Sequence, residues 1–315
     1  MATYSQYFLL SLPLFAMVLI GYLVACWRHW RREWSEWASK FVFNVALPAM
    51  LFHVMSDWSS LPPLNARLLI AFFGSCFVVF FIGRAVASRF FHLDPVAQSV
   101  FAMGGIFSNN VMLGLPLAKA TLGPIAIPSV ALVVVFNALT LWTLVSVAIE
   151  WSRHAAFSLH GMGRLTVGIV TSPLVAAVIL GIVFGFSGMK LPHLLDAALG
   201  VMSSIAGPAA LLTLGMGLVH YGVRQGWQQS VAISFLKLIL VPVVVWLMAR
   251  ALSLPPLETR VVVLLASMSV GANVYLMSIQ FQSVQGPIAG ALVLSTALAS
   301  ITTPLFLAAT AALGN

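Results

Sequence analysis

Two adjacent asparagines, Asn109 and Asn110, lie inside the apolar stretch GGIFSNNVMLGLPLAK. Their amide side chains can hydrogen-bond to backbone groups or to a bound solute. Gly114 loosens a helix and Pro116 removes a backbone donor, so the stretch predicts an interrupted helix. Inside a membrane, an interruption survives only where protein or a water-filled cavity satisfies the freed backbone groups. The stretch therefore indicates either a polar site at membrane depth or a close helix contact, which small residues also favour.

A second stretch, SMSVGANVYLMSIQ, repeats the pattern with Gly271, Asn273 and Tyr275 but without a proline. The segments SNNVML and GANVYL align, and two copies of GPIA align at the same offset. If both stretches are broken helices, the second half of each begins near the membrane midplane, where its N-terminus carries partial positive charge. Two such termini facing one cavity favour an anion.

A weaker repeat pairs Asn44 and Pro48 with Ser204 and Pro208. Proline at these positions would kink a helix and free the carbonyl about one turn earlier. Asn44 either faces a solute or hydrogen-bonds to a neighbouring helix, and both interpretations are open.

Asn137 and Thr140 lie one turn apart on one helix face, so they either line the same cavity or connect two helices. The candidate substrate-binding residues are Asn44, Asn109, Asn110, Asn137, Thr140, Gly271, Asn273 and Tyr275. The candidate helix-breaking residues are Pro48, Gly114, Pro116 and Pro208.

The elements that must position these residues are membrane-spanning helices. Of the 315 residues, 61% are hydrophobic and 7% are charged, whereas soluble globular chains carry roughly 25% charged residues. Apolar runs of about 20 residues, the length that crosses a bilayer, recur along the whole chain. They predict ten spans, near 7–26, 37–56, 66–90, 97–119, 125–149, 165–186, 194–219, 229–252, 260–281 and 288–312. The predicted class is an all-α integral membrane protein.

The loops predict an orientation in a bacterial inner membrane. One side of the membrane receives Arg28, Arg31, Arg32, Arg84, Arg89, Arg153, Arg164 and Arg224, and the other receives Arg67, Lys119, Lys190, Arg250 and Arg260. The positive-inside rule makes the first side cytoplasmic and places both termini in the periplasm. The net charge of +8 is explained by these loops, so we expect no nucleic-acid partner.

The repeats divide the chain into a five-helix repeat over 1–150, a cytoplasmic connecting loop over 151–164 and a second repeat over 165–315. Because five is odd, the second repeat must enter the membrane from the opposite side. Such inverted repeats, with crossed broken helices that would here be the fourth and ninth spans, are typical of secondary transporters.

Other residue types exclude some chemistry. All seven carboxylates fall at span ends or in loops: Glu33, Glu36, Asp57, Asp94, Glu150, Asp196 and Glu258. A proton relay through a membrane-embedded carboxylate is therefore disfavoured. Lys237, inside the eighth span, either attracts an anion or extends its ammonium to the membrane surface.

The chain lacks a GxxxxGK[ST] phosphate loop, an HExxH zinc helix and a GxSxG nucleophile elbow. Its two cysteines, Cys26 and Cys76, lie in separate apolar segments. We therefore expect no enzyme activity, no cofactor and no metal site.

The order of several motifs resembles the auxin efflux carrier family. SNNVMLGLPLAKATLGP resembles the family's asparagine-containing crossover helix, and NVALPAML, GPAALLTLGMGL, GANVYLM and GPIAGALVLSTALASITTPL are similar to its other segments. The short central loop is more similar to the bacterial branch, which includes malonate and malate carriers, than to the plant branch. Unlike the family's common pattern, the second crossover here lacks proline.

The resemblance implies a scaffold domain, a mobile transport domain with crossed helices, small carboxylate substrates and often a dimer. It places Asn109, Asn110, Pro116, Gly271 and Asn273 on the crossover. We therefore expect an elevator-like carrier of a malonate- or malate-type carboxylate. Two alternatives are open: a sodium-coupled carrier of a larger organic anion such as a bile acid, and a channel or sensor. Gly181 and Gly185 form a GxxxG face that favours contacts within or between subunits.

Overall fold

A computed structural model describes residues 4–27, 31–56, 65–152, 173–219 and 226–312. Helices make up most of these ranges, as the composition predicts for membrane spans. Most of the predicted connecting loop and the start of the predicted sixth span lie outside the described residues. Five charged residues of the predicted loops and span ends also lie outside the described residues: Arg28, Asp57, Arg153, Arg164 and Arg224.

Six helices in the described ranges are long and apolar enough to cross a membrane. Four are uninterrupted: α1 (Tyr4–Cys26), α4 (Ala66–Phe91), α9 (His193–Leu218) and α14 (Gln285–Ala312). The other two are rods in which a single π-helical turn joins two α-helices. One consists of α2 (Arg32–Phe41), Val42–Ala46 and α3 (Leu47–Ser56), and the other of α10 (Trp227–Phe235), Leu236–Leu240 and α11 (Val241–Ala251).

The remaining helices either flank the breaks predicted in the fourth and ninth spans or, in the case of α7 and α8, correspond to the predicted fifth and sixth spans. They are α5 (Pro95–Ile106), α6 (Leu115–Leu122), α7 (Ile127–Ser152), α8 (Pro173–Phe186), α12 (Pro256–Ala266) and α13 (Ala272–Gln280). A further π-turn, Asn110–Gly114, leads into α6. The described residues thus form an all-helical protein with several membrane-spanning candidates.

Each π-turn ends two residues before a proline, at Pro48, Pro116 and Pro242. A proline in an α-helix loses one hydrogen bond, and its ring collides with the carbonyl four positions earlier. In each π-turn, the residue before the proline donates its N–H to the carbonyl five positions earlier, as Leu115 does to Asn110. This wider turn accommodates the proline ring without ending the helix.

The break predicted at Pro208 is wrong. α9 runs without interruption from His193 to Leu218 through this proline. A single missing hydrogen bond does not end a membrane helix whose other turns are intact.

The helices pack in two groups. The α1 group contains α1, α3, α8 and α9, and the α5 group contains α4, α5, α7, α11, α12 and α14. The groups meet where α1 packs against α14, and α6 also contacts α1 and α9. Gly181 of the GxxxG face lies within the α1 group, because a Cβ atom there would be 2.6 Å from the Met55 Cβ. That glycine therefore serves a contact within the subunit.

α1 and α9 approach so closely that their facing positions must be glycine. A Cβ at Gly215 would lie 1.9 Å from the Val18 carbonyl oxygen, and one at Gly21 would lie 2.1 Å from that of Leu212. Close backbone approach through small residues is the typical way in which membrane helices associate.

We predict that Gly215→Ala destabilises the detergent-purified protein, because overpacking costs about 1–3 kcal/mol. Gly217→Ala is the matched control, since a Cβ there would meet nothing within 4 Å. Thermal unfolding followed by tryptophan fluorescence should show a lower midpoint for Gly215→Ala and an unchanged or higher midpoint for Gly217→Ala. Equal midpoints for the two variants would contradict the packing described for α1 and α9.

Candidate functional site

The first broken helix is interrupted directly before the paired asparagines. Asp94 begins α5 by accepting hydrogen bonds from the N–H groups of Val96 and Ala97. After Ile106 the chain turns into an extended conformation at Phe107 (φ −77°, ψ 109°), and helical structure resumes at Asn110. Ile106 therefore ends one half-helix at the interruption, and Asn110 begins the next.

The second broken helix is interrupted over 267–271. α12 ends at Ala266, Gly271 is extended (φ −75°, ψ 139°), and α13 begins at Ala272. The position of Gly271 requires glycine for space, because a Cβ there would lie 2.8 Å from Phe107 Cδ1 and 3.2 Å from the Ser108 carbonyl oxygen. This glycine brings the two interruptions into contact without any proline in the second one.

The two interruptions pair with each other through their backbones. Ser108 and Val270 form an antiparallel β-bridge. The Asn109 N–H donates to the Ser269 carbonyl at 2.9 Å, and the Gly271 N–H donates to the Phe107 carbonyl at 2.8 Å. Backbone groups that the helices leave unpaired are thus satisfied inside the protein, which is the condition for non-helical chain at membrane depth.

A cavity of about 220 Å³ opens beside this pairing. Six of the predicted site residues line it: Asn44, Asn109, Asn110, Asn137, Gly271 and Asn273. The predicted residues Thr140 and Tyr275 are not among the lining residues. Sequence reasoning missed the rest of the wall, which consists of Phe43, Phe107, Ser108, Val111, Met112, Val134, Pro173 and Ala272. Most of these are apolar residues, and only their positions next to the asparagines could have indicated them.

The asparagines carry hydrogen-bonding groups that the protein leaves unused. Asn110 is 2% exposed, and neither its Nδ2 nor its Oδ1 has a partner among the described residues. Asn109 Nδ2 and Asn137 Oδ1 are also buried without a partner there. An unsatisfied buried polar group costs about 1–3 kcal/mol. Such groups gathered at one cavity indicate a site for a polar ligand.

The electrostatics of the cavity favour negative charge. The second halves of both broken helices begin here, at Asn110 and at Ala272, and a helix N-terminus carries about half a positive charge. Among the described residues that line the cavity, none is aspartate or glutamate. Amide donors and two helix N-termini together can therefore hold an anion.

Two predicted helix-breaking residues lie after the interruption instead of in it. Gly114 closes the π-turn, and a Cβ there would lie 2.9 Å from Leu265 Cδ2. Pro116 is the second residue of α6 and packs near Gly207 of α9. Both residues fit the second half-helix closely against its neighbours, and the interruption itself lies at 107–109.

Lys237 does not line the cavity, and its ammonium does not extend to the membrane surface. Its side chain is completely buried, and Nζ donates to the carbonyl of Ala266. Within the described ranges, no group of three or more histidine, cysteine, aspartate or glutamate residues could hold a metal ion.

Comparison with known proteins agrees with a transport function for this architecture. Residues 8–307 match the family described as "Membrane transport protein", the auxin efflux carrier family. The chain belongs to this family. A putative malonate transporter of Rhizobium meliloti (strain 1021) is 27% identical over 303 residues, which cover 93% of this chain and 92% of the relative.

A second relative also carries a transporter name. An uncharacterized transporter of Methanocaldococcus jannaschii is 23% identical over 260 residues, covering 80% of this chain and 82% of the relative. Membership in the family and the transporter names of both relatives support a membrane transport protein.

We predict that the Ser295 hydroxyl holds the second interruption in place. It accepts the Val270 N–H at 3.0 Å and is fully buried. Ser295→Ala should therefore speed hydrogen–deuterium exchange in peptides covering 267–273, because a buried N–H loses its acceptor. The control is Ser300→Ala on the same helix, whose hydroxyl bonds only to its own helix at Ala297. Unchanged exchange in Ser295→Ala would show that the interruption does not depend on this bond.

Proposed function

We propose that the chain is a secondary transporter of a small carboxylate, of the malonate or malate type, in a bacterial inner membrane with both termini in the periplasm. The observation that carries this proposal is the cavity between two interrupted helices, where unpartnered asparagine amides and two helix N-termini converge. Membership in a transport family and the malonate name of one relative support it.

The size of the cavity favours a small substrate. Pockets for drug-sized ligands measure about 300–1,000 Å³, whereas this cavity measures about 220 Å³. A three- or four-carbon dicarboxylate suits such a volume, and a bile acid with its fused rings does not. The cavity volume therefore favours the first of the two anion classes that the sequence left open.

The proposed recognition uses the amides as donors. A carboxylate only accepts hydrogen bonds, and an asparagine Nδ2 group only donates them. The Nδ2 atoms of Asn109 and Asn110 have no partner among the described residues, and Asn273 lines the cavity from the other broken helix. A dicarboxylate between them would receive donors from both helices and the positive ends of both dipoles.

The proposed movement is an elevator-like displacement of the α5 group against the α1 group. The cavity lies at the boundary between them. Phe43 and Asn44 belong to the π-turn that leads into α3, and Pro173 begins α8. The remaining described lining residues belong to the two broken helices and α7. A site at such a boundary changes its access when one group slides along the other. The antiparallel pairing of the interruptions supports two inverted repeats.

We predict that Asn110→Ala and Asn273→Ala each lower the affinity for labelled malonate at least tenfold in reconstituted vesicles. A hydrogen bond to a charged group is worth about 1.5–3 kcal/mol, and ~1.4 kcal/mol corresponds to tenfold. Gln228→Ala, which removes an exposed amide that is not among the cavity-lining residues, is the matched control. Wild-type affinity in both asparagine variants would overturn the assigned site.

We predict that linking α6, which continues the broken helix that α5 begins, to α9 of the α1 group stops transport. Lys119 of α6 reaches the Ser203 carbonyl of α9 at 3.5 Å, so cysteines at these two positions can be joined by a short bis-maleimide in a Cys26→Ser background. The control link joins positions 53 and 203, both in the α1 group, where His53 Nδ1 lies 3.2 Å from Ser203 Oγ. Uptake should stop after the first link and continue after the second. Continued uptake with the first link complete would contradict the movement.

A further inference from the structure

Lys237 is a lysine whose side chain is completely buried inside the protein. It lies in the π-turn Leu236–Leu240. In the part of the chain that the structure describes, no carboxylate forms a salt bridge with it, and the titratable group that interacts with it is the thiol of Cys76. An isolated charge inside a membrane protein is costly, so an ammonium group at this position requires a compensating negative potential.

The partner of this lysine is the end of a half-helix. Nζ donates to the carbonyl of Ala266, the last residue of α12, where the second broken helix is interrupted. The C-terminus of a helix carries partial negative charge on its unpaired carbonyls. The lysine therefore satisfies one of these carbonyls and faces the negative end of the α12 dipole.

The same π-turn also packs against the end of the other half-helix. A Cβ at Gly105 would lie 3.1 Å from the Leu236 Cβ, and α5 ends one residue later at Ile106. The backbone carrying Lys237 is thus fixed beside the C-terminal ends of α5 and α12, the first halves of the two broken helices. The N-terminal ends of both second halves face the cavity, on the other side of the interruptions.

Carriers with broken helices commonly bind their coupling cation, such as Na⁺, at the C-terminal ends of half-helices and at unwound carbonyls. We propose that the Lys237 ammonium is the cation of this site, supplied by the chain itself, and that it takes the place of a coupling sodium ion. Lys237 is then a positioning residue: it holds the interrupted helices in the arrangement that binds the anion. Substrate binding then needs no Na⁺ at this position, which disfavours the sodium-coupled alternative.

The inference rests on the proposed function only where uptake is measured, so the first experiment does not use a substrate. The thermal midpoint of the purified wild-type protein is compared in sodium chloride and choline chloride at equal ionic strength. A ligand that binds the folded state raises the midpoint. We expect equal midpoints, because the ammonium already occupies the cation site. A midpoint several degrees higher in sodium would overturn the inference.

The second experiment tests the role of the charge. Lys237→Met keeps an unbranched side chain of similar length and removes the ammonium; Lys190→Met, at an exposed loop position, is the matched control. The rate of malonate uptake by the wild type should be equal in sodium and choline. The rate for Lys237→Met should be about tenfold lower than for the wild type, a change of ~1.4 kcal/mol. Size-exclusion chromatography identifies variants that fold.

The outcomes separate the two proposals. Sodium-dependent uptake by the wild type, or wild-type uptake by a folded Lys237→Met variant, would overturn the role given to Lys237. If Lys237→Met does not fold, the thermal midpoints and uptake rates of the wild type in sodium and choline still test the role given to Lys237. A wild type that takes up no carboxylate in either salt would contradict the proposed function, while its thermal midpoints would still test the cation site.

Discussion

Backbone pairing between two interrupted helices is the constraint on which the rest of the site depends. In hydrocarbon, an unsatisfied N–H or C=O group costs several kcal/mol, so a helix cannot stop at mid-depth without a partner. Here the partner is the other interruption, through the bridge between Ser108 and Val270 and the two hydrogen bonds beside it. Gly271 permits this contact, since any side chain at its position would collide with Phe107.

The pairing separates positive from negative helix ends. The N-terminal ends of the second halves, at Asn110 and Ala272, lie at the cavity, and the C-terminal end of α12 lies at Lys237. An anion is thus favoured on the side where the second halves begin, and a cation is favoured on the side where α12 ends. The same geometry therefore favours an anion in the cavity and the proposed Lys237 ammonium at the end of α12. The described residues that line the cavity include no carboxylate.

Sequence patterns predicted the broken helices, because glycine, proline and paired asparagines have local effects on a helix. They placed the breaks less well: the first interruption precedes Gly114 and Pro116, and Pro208 interrupts nothing. The sequence also did not predict which side chains point into the cavity. Asn137 lines it, whereas Thr140, one turn away, does not. The contact between Lys237 and Ala266 joins residues far apart in the chain, and only the packing of α11 against α12 brings them together.

The central claim is that an anion binds where the two interruptions meet. Crystals grown with bromomalonate would test it directly, because the anomalous signal of bromine locates the ligand independently of the protein. We expect a bromine peak in the cavity between Asn110 and Asn273. A second cavity is lined by His53 and Lys190, among other residues. A peak only in this second cavity, with none between the asparagines, would contradict the claim.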